Sequence, residues 1–216
     1  SFLDWPGKLC SVLFLPRCNF RCPYCHNHPL VFHPERYASI PLKDVLDRLQ
    51  SFRGWIDGVC ITGGEPTLER NLPQLIHELK GSGFSVKLDT NGSSPQILET
   101  LLKNREIDFV SMDVKAPLDP FSYTRSIGIS IDLDLILKSI ELLKREEVAY
   151  EFRMTVVPGL HGEEDIRRLG EELRAGRRFI LQNFNPENPL DPSLRNIPPY
   201  DPKVLKAIER EVQGMI

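Results

Sequence analysis

Apolar and polar positions along this chain alternate between two periods. Short apolar runs of strand length are followed by longer stretches with apolar residues at helical spacing, and the pair repeats. The runs at 9–15, 58–62, 86–88, 109–114, 150–157 and 179–184 read as strands. Helical patterns lie at 42–52, 71–79, 94–103, 133–144, 163–173 and 202–212; in the first of these Leu42, Val45, Leu46, Leu49 and Phe52 share one face. Local signals agree with this reading. Gly81 and Gly83 stop the second helix, Ser93 or Ser94 is placed to cap the third, and the acidic turn opening at Glu163 suits a helix dipole.

Strand and helix alternate through six units without a break, which predicts a parallel sheet with helices outside it. Six units are too few for a closed eight-stranded barrel. The predicted fold class is therefore α/β, a partial (β/α)6 TIM-type barrel open on one side. The expected organisation is a partial-barrel domain over 1–199, with a cysteine-bearing loop at 17–33, and a C-terminal helix over 200–216 packed on the same domain. Polar motifs fall just after strands, at 18–25, 63–66, 89–92, 113–115 and 183–185. A site at the carboxyl ends of a parallel sheet is built in this way.

Composition narrows the classes. Of 216 residues 41% are hydrophobic, enough for a core and too many for disorder. A net charge of −3 leaves no electrostatic footprint for nucleic acid or an anionic membrane. No stretch is long and apolar enough to span a bilayer, and the first residues lack the basic start and apolar run of a signal peptide. Five cysteines in a chain of this size do not make a disulfide framework, so a reducing cytoplasm is the expected location.

Cys18, Cys22 and Cys25 are spaced C-x3-C-x2-C in the loop after the first strand. Thiolates are soft ligands that select iron–sulfur clusters, zinc or copper(I). A closed structural site usually takes four ligands. A 4Fe–4S cluster on three cysteines leaves one iron open to something that is not protein; a zinc site or a reactive thiol cluster is the alternative. Gly63 and Gly64 either let main chain approach a ligand closely or form an ordinary strand-to-helix turn. Asp89, Thr90 and Asp113 place two carboxylates and a hydroxyl at adjacent strand ends. Such hard oxygens suit a hard cation; helix capping and ribose hydrogen bonding are the alternative. Cys10 and Cys60 read as core. Residues 28–41 contain no cysteine, so a single cluster is expected.

The cysteine motif, with Tyr24 before its third member, resembles the radical S-adenosylmethionine superfamily, and Gly63-Gly64-Glu65-Pro66 matches that superfamily's second hallmark. Across most of the chain the resemblance extends to the glycyl-radical-enzyme activases. Tyr24-Cys25-His26-Asn27, Asp89-Thr90-Asn91-Gly92, Met112-Asp113-Val114-Lys115 and Val156-Val157-Pro158-Gly159 are similar to segments of pyruvate formate-lyase activating enzyme. Asp4-Trp5-Pro6-Gly7-Lys8 and Leu181-Gln182-Asn183-Phe184-Asn185-Pro186 look closer to the anaerobic ribonucleotide reductase activating proteins of the longer type.

The resemblance implies one 4Fe–4S cluster on Cys18, Cys22 and Cys25, whose open iron takes S-adenosylmethionine. It implies a cofactor site built from Tyr24, His26, Gly63, Gly64, Glu65 and Pro66, with Asp89, Asn91, Val114, Lys115, Val157 and Asn185. Gly64 would lie nearest the methionine amino group, and Lys115 would neutralise the cofactor carboxylate or the acidic pair. Asp89, Thr90 and Asp113, with the carbonyl of Ser111, would hold a monovalent cation. Asn185 stands where a related activase has His, which keeps hydrogen bonding and loses titration near neutral pH. Residues 4–8 would shape the mouth where a partner's glycine loop enters. No side chain would be catalytic beyond the cluster and S-adenosylmethionine. The implied activity is reductive cleavage of S-adenosylmethionine and use of the 5′-deoxyadenosyl radical to make a glycyl radical on a partner, foremost anaerobic ribonucleoside-triphosphate reductase. The implied electron donor is of the flavodoxin or ferredoxin type, with no nucleic acid and no membrane involved. Two other readings stay open: a radical enzyme for a small molecule or peptide, like the 7-carboxy-7-deazaguanine synthases, and a non-enzymatic metal protein.

Overall fold

In the computed structural model, which describes residues 1–145 and 148–216, six strands pair in parallel and in sequence order. They are β1 (Cys10–Leu15), β2 (Gly58–Gly63), β3 (Ser85–Thr90), β4 (Phe109–Asp113), β5 (Ala149–Val156) and β6 (Phe179–Asn183). β1 pairs with β2 and β6 with β5, and neither pairs with the other. The sheet is thus an unclosed, partial TIM-type barrel with a gap between β1 and β6. The expected helices form as α2 (Leu42–Ser51), α3 (Leu72–Gly81), α4 (Pro95–Lys103), α6 (Leu133–Arg145), α7 (Glu163–Glu172) and α8 (Pro202–Gln213). The bounds lie within two residues of the expected ones, the usual uncertainty of helix ends.

Two helices escape the periodicity. α1 (His28–Phe32) is short and has no buried residue. α5 (Pro120–Ile127) carries full start and stop signals: Asp119 accepts a hydrogen bond from Ser122 N, Pro120 opens the first turn, and Gly128 closes it at φ +71°. Its apolar stripe, however, is little more than Tyr123 and Ile127. At α4 the serine expectation needs correction. Ser94 sits at the cap position but makes no capping bond, and Ser93 instead accepts a hydrogen bond from Asn19 Nδ2 at 2.9 Å. Pro95 supplies the start.

Each strand presents alternate residues to opposite faces. Val86, Leu88, Val110, Met112, Phe152, Met154 and Val156 join the main core, packed with helix residues such as Ile76, Leu98, Ile140 and Leu169. The other face lines the bore. Near the amino ends of the strands it carries a second small core of Trp5, Cys10 and Cys60, with Val12 and Phe109 against it. Cys10 and Cys60 are therefore core residues, as expected. Of residues 4–8, expected at the mouth, Asp4 lines the cavity that holds the three cysteines, but Trp5 does not. It is 2% exposed, its ring lies 6.2 Å from Phe109, and a Cβ on Gly58 would come within 2.8 Å of it. It plugs the bore at the end opposite the cysteines, because a large aromatic ring finds apolar cover there. α8 packs on α7 and on the β6 edge. There Gln213 Oε1 and Glu209 Oε1 accept the Phe179 and Leu181 N–H groups, which satisfies donors that an edge strand leaves open. Among the described residues no helix is long and apolar enough to cross a membrane.

One buried histidine makes stability depend on pH. His161 Nδ1 accepts the Val157 N–H at 3.1 Å, so the ring is neutral and donates from Nε2 to Ser126 Oγ at 2.9 Å. Burial lowers its pKa from 6.5 to about 4. Between those values the unfolded chain binds a proton that the folded chain does not, so stability is full at neutral pH and falls as pH drops. The expected loss is about 3 kcal/mol between pH 7 and pH 4. Urea unfolding across that range should show it, and His161→Gln, which can keep both hydrogen bonds, should flatten the slope. Equal slopes in the two proteins would refute the assignment.

Candidate active site

The loop after β1 turns at Arg17, in the left-handed region at φ +65°. Its shape is fixed locally. Arg21 Nη1 donates to the carbonyls of Cys18 and Phe20 at 2.7 Å, Arg21 N donates to Ile127 O at 2.8 Å, and Cys25 N closes a turn onto Cys22 O at 3.0 Å. Phe20 is buried beneath it. Cys18, Cys22 and Cys25 are all free and line one cavity of about 550 Å³ at the carboxyl ends of the strands. Burial pushes all three thiols up, Cys22 to about 12. A bound metal that takes such a sulfur as thiolate therefore displaces a proton. Among the described residues, no three His, Cys, Asp or Glu side chains are grouped to hold one metal ion. The three thiols share the lining of one cavity, and soft sulfur donors of this kind suit an iron–sulfur cluster.

Residues 63–66 close β2 and run against the start of the cysteine loop. Gly64 N donates to Leu15 O at 2.9 Å and Glu65 N to Arg17 O at 2.7 Å. A Cβ on Gly63 would stand 2.3 Å from Leu15 O, and one on Gly64 would stand 1.7 Å from Arg17 O. The glycines are thus required by the chain's own main chain, before any ligand is considered. Glu65 is 1% exposed and accepts four hydrogen bonds: from Thr67 N, Thr67 Oγ1 and Thr90 Oγ1 on Oε1, and from Asn91 N on Oε2. Burial pushes its carboxyl above the usual range, against the pull of those donors. It ties the motif after β2 to the motif after β3. Asn91 continues the tie, since its Nδ2 donates to Asn19 Oδ1 at 3.0 Å and lies 3.9 Å from Cys18 Sγ. Asn27 Nδ2 donates to Gly63 O at 2.7 Å.

Across β3, β4 and β5 runs a row of charges. Asp89 pairs with Lys87 and Arg153, and Asp113 pairs with Arg153 and Lys115. Burial alone would raise the Asp113 carboxyl, but Arg153 and Lys115 hold it well below the usual range. Burial likewise acts to lower Lys115, and Asp113 keeps it raised and protonated.

Of the residues expected at the site, Tyr24, His26, Gly63, Gly64 and Glu65 line the cavity with the three cysteines. So do Asp89, Thr90, Asn91, Asp113, Lys115 and Asn185. Tyr24 is mostly turned inward, edge-on to His161 at 6.0 Å. Pro66, Val114 and Val157 are not brought to the cavity. All three are buried, and Val114 and Val157 belong to the main core. Sequence reasoning missed Arg153, Thr155 and Gln182, which also line the cavity, as does Asn183 of the motif at 183–185. A signal existed: Glu151, Arg153 and Thr155 alternate with apolar residues inside a strand, which marks a polar bore.

The gap between the edge strands is spanned at this end. His26 Nε2 donates to Asn185 O at 2.7 Å, and Asp191 N donates to Pro23 O at 2.8 Å. Both bonds join the cysteine loop to the chain after β6.

The residues 12–171 match the family model of the radical SAM superfamily. A candidate glycyl-radical enzyme activating enzyme of Methanocaldococcus jannaschii is 36% identical over 202 residues, covering 92% of this chain and 82% of that protein. The pyruvate formate-lyase-activating enzyme of Clostridium pasteurianum is 27% identical, covering 100% of this chain and 94% of that protein. Among solved structures, SuiB of Streptococcus suis bound to S-adenosylmethionine superposes with a TM-score of 0.72 at 20% identity, over 97% of this chain and 47% of that one. The chain spans about half the length of that structure, and the likeness is one of fold. Membership of the matched family implies a 4Fe–4S cluster and S-adenosylmethionine. A match of that extent, falling on the loop and strand ends that build the cavity, makes this chain a member of the radical SAM superfamily.

Proposed function

We propose that this chain is an activase that installs a glycyl radical on a partner enzyme, foremost anaerobic ribonucleoside-triphosphate reductase. One observation carries the reading: three free thiols, the Gly63-Gly64-Glu65 turn and the charged row all face one cavity beside the gap between β1 and β6. The activase names of the Methanocaldococcus and Clostridium relatives support it.

Cys18, Cys22 and Cys25 would hold the cluster. When bound, it supplies the electron that cleaves S-adenosylmethionine reductively, so that the 5′-deoxyadenosyl radical can take a hydrogen from a glycine α-carbon. The main chain at 63–65 would receive the methionine end, and Lys115, protonated and facing the cavity, would meet its carboxylate. His26 and Asn185 would flank the adenosyl end. The glycine C–H bond is weak, because nitrogen and carbonyl both stabilise the product radical. What remains for the protein is to hold the partners close and to exclude water. Phe14, 55% exposed on the edge strand, borders the cavity at the gap and offers apolar contact to an arriving loop. The electron donor would be of the flavodoxin or ferredoxin type, and the setting an oxygen-poor cytoplasm.

A second reading has its own observation. Thr155, Gln182 and Asn183 line the cavity and could grip a free small substrate, as in enzymes resembling 7-carboxy-7-deazaguanine synthase. The deciding experiment incubates the reconstituted chain anaerobically with a reductant, S-adenosylmethionine and the reductase. A glycyl doublet in electron paramagnetic resonance, with matching 5′-deoxyadenosine, is expected. Turnover of a small molecule with no protein partner would favour the second reading.

A further inference from the structure

The charged row does not fit the alkali ion that the resemblance implies. Asp89 Oδ1 pairs with Lys87 Nζ, and Asp89 Oδ2 lies 3.1 Å from Arg153 Nη2. Asp113 Oδ1 lies 2.8 Å from Arg153 Nε, and Asp113 Oδ2 lies 2.9 Å from Lys115 Nζ. All four carboxylate oxygens are therefore taken by nitrogen cations. The Thr90 hydroxyl is also engaged, donating to Glu65 Oε1 at 2.7 Å and accepting the Gly92 N–H at 3.1 Å. An alkali ion would need these same oxygens as its ligands.

We propose that Arg153 is this chain's built-in monovalent cation. Its guanidinium fills the place between Asp89 and Asp113, and the chain binds no inorganic ion there. Arg153 acts as a positioning residue: it fixes Asp113, and Asp113 fixes Lys115 at the cavity wall. A guanidinium suits the task better than a point charge. It stays protonated, and its planar fork can meet two carboxylates at once. Three cations, from Lys87, Arg153 and Lys115, already face two carboxylates, with Glu151 behind Arg153 bonded to Ser111 and near Arg178. A further positive ion would meet net repulsion in a poorly hydrated bore. The inference rests on these ion pairs and not on the choice of partner or substrate.

The test uses the reconstituted full chain in lithium, sodium, potassium, caesium and choline chlorides at equal ionic strength. Melting temperature and the sodium-23 line width are read, and neither needs turnover. The rate of 5′-deoxyadenosine formation is read alongside. The wild type should show no saturable, ion-specific rise in melting temperature, no sodium broadening, and a rate varying by no more than about twofold among salts of equal screening. Arg153→Gln frees the carboxylates and should acquire all three dependences, since a ligand that binds the folded state raises its stability. Arg153→Lys keeps the charge and should share the wild type's indifference to the ion in melting temperature and sodium line width. A specific, saturable response of the wild type to sodium or potassium would overturn the proposal. A folded Arg153→Gln chain indifferent to every ion would overturn it equally. If that variant fails to fold, the wild-type and Arg153→Lys measurements decide alone.

Discussion

A chain carrying Cys22→Ala, reconstituted anaerobically with iron and sulfide, is expected to form no detectable 5′-deoxyadenosine from S-adenosylmethionine. Cys22 is the most enclosed of the three thiols, at 8% exposure, and is held between Cys18 and Cys25 by the turn onto its own carbonyl. Alanine keeps that backbone and removes only the sulfur, so the folded chain should survive while one of three cluster attachments is lost. Iron and sulfide content and the visible absorption of the protein should fall together with activity. Cys60→Ala is the control. It removes a thiol from the small core around Trp5, far from the loop, and should cost about 1–2 kcal/mol of stability with activity kept. Full activity in Cys22→Ala would remove the cluster assignment and the proposed function with it.

Gly64→Ala should be nearly as damaging, by a different route. The new methyl would stand 1.7 Å from the Arg17 carbonyl oxygen and 2.5 Å from its carbon. Both are backbone atoms, so no side chain can swing aside. Arg17 already occupies a left-handed turn, and its carbonyl accepts the Glu65 N–H. Relief must come from moving the start of the cysteine loop away from β2. A cost of about 3 kcal/mol or more is expected, the range of severe overpacking. For a chain of this size that lowers the melting temperature by roughly 6–12 °C. Cluster uptake should fall as well, because Cys18 is the next residue. Gly81→Ala, where nothing lies within 4 Å of the added Cβ, should leave the melting temperature unchanged or slightly raised. A Gly64→Ala protein as stable as the wild type would show that the close approach is not the reason for glycine.

The sequence made the sheet legible because each strand hides one apolar face and each helix one apolar stripe, so two periods could be separated. The cysteine loop and the motifs at 63–66 and 89–92 were legible from spacing and from their places after strands. Arg153 carried a signal, since Glu151, Arg153 and Thr155 alternate with apolar residues, but that polar face gains a meaning only where the sheet curves round a bore. Trp5 was misplaced because its neighbours in space, Cys60 and Phe109, lie far along the chain. The resemblance implies Val114 and Val157 at the cofactor. A strand turns neighbours to opposite sides, and the β4 end keeps that rule: Asp113 faces the cavity and Val114 the core. The glycines at 63 and 64 left ligand approach and an ordinary turn as alternatives, and packing adds a reason neither named, clearance for the backbone of residues 15 and 17.

The bonds from His26 to Asn185 and from Asp191 to Pro23 act as a latch across the seam. Two such bonds contribute about 1–3 kcal/mol in total once exchange with water is counted. On those bonds alone, an unlatched form would be populated from roughly one molecule in six to about six in a thousand. A guest segment could therefore enter by ordinary breathing of the seam, with the sheet intact, and shut the wall behind it with its own contacts.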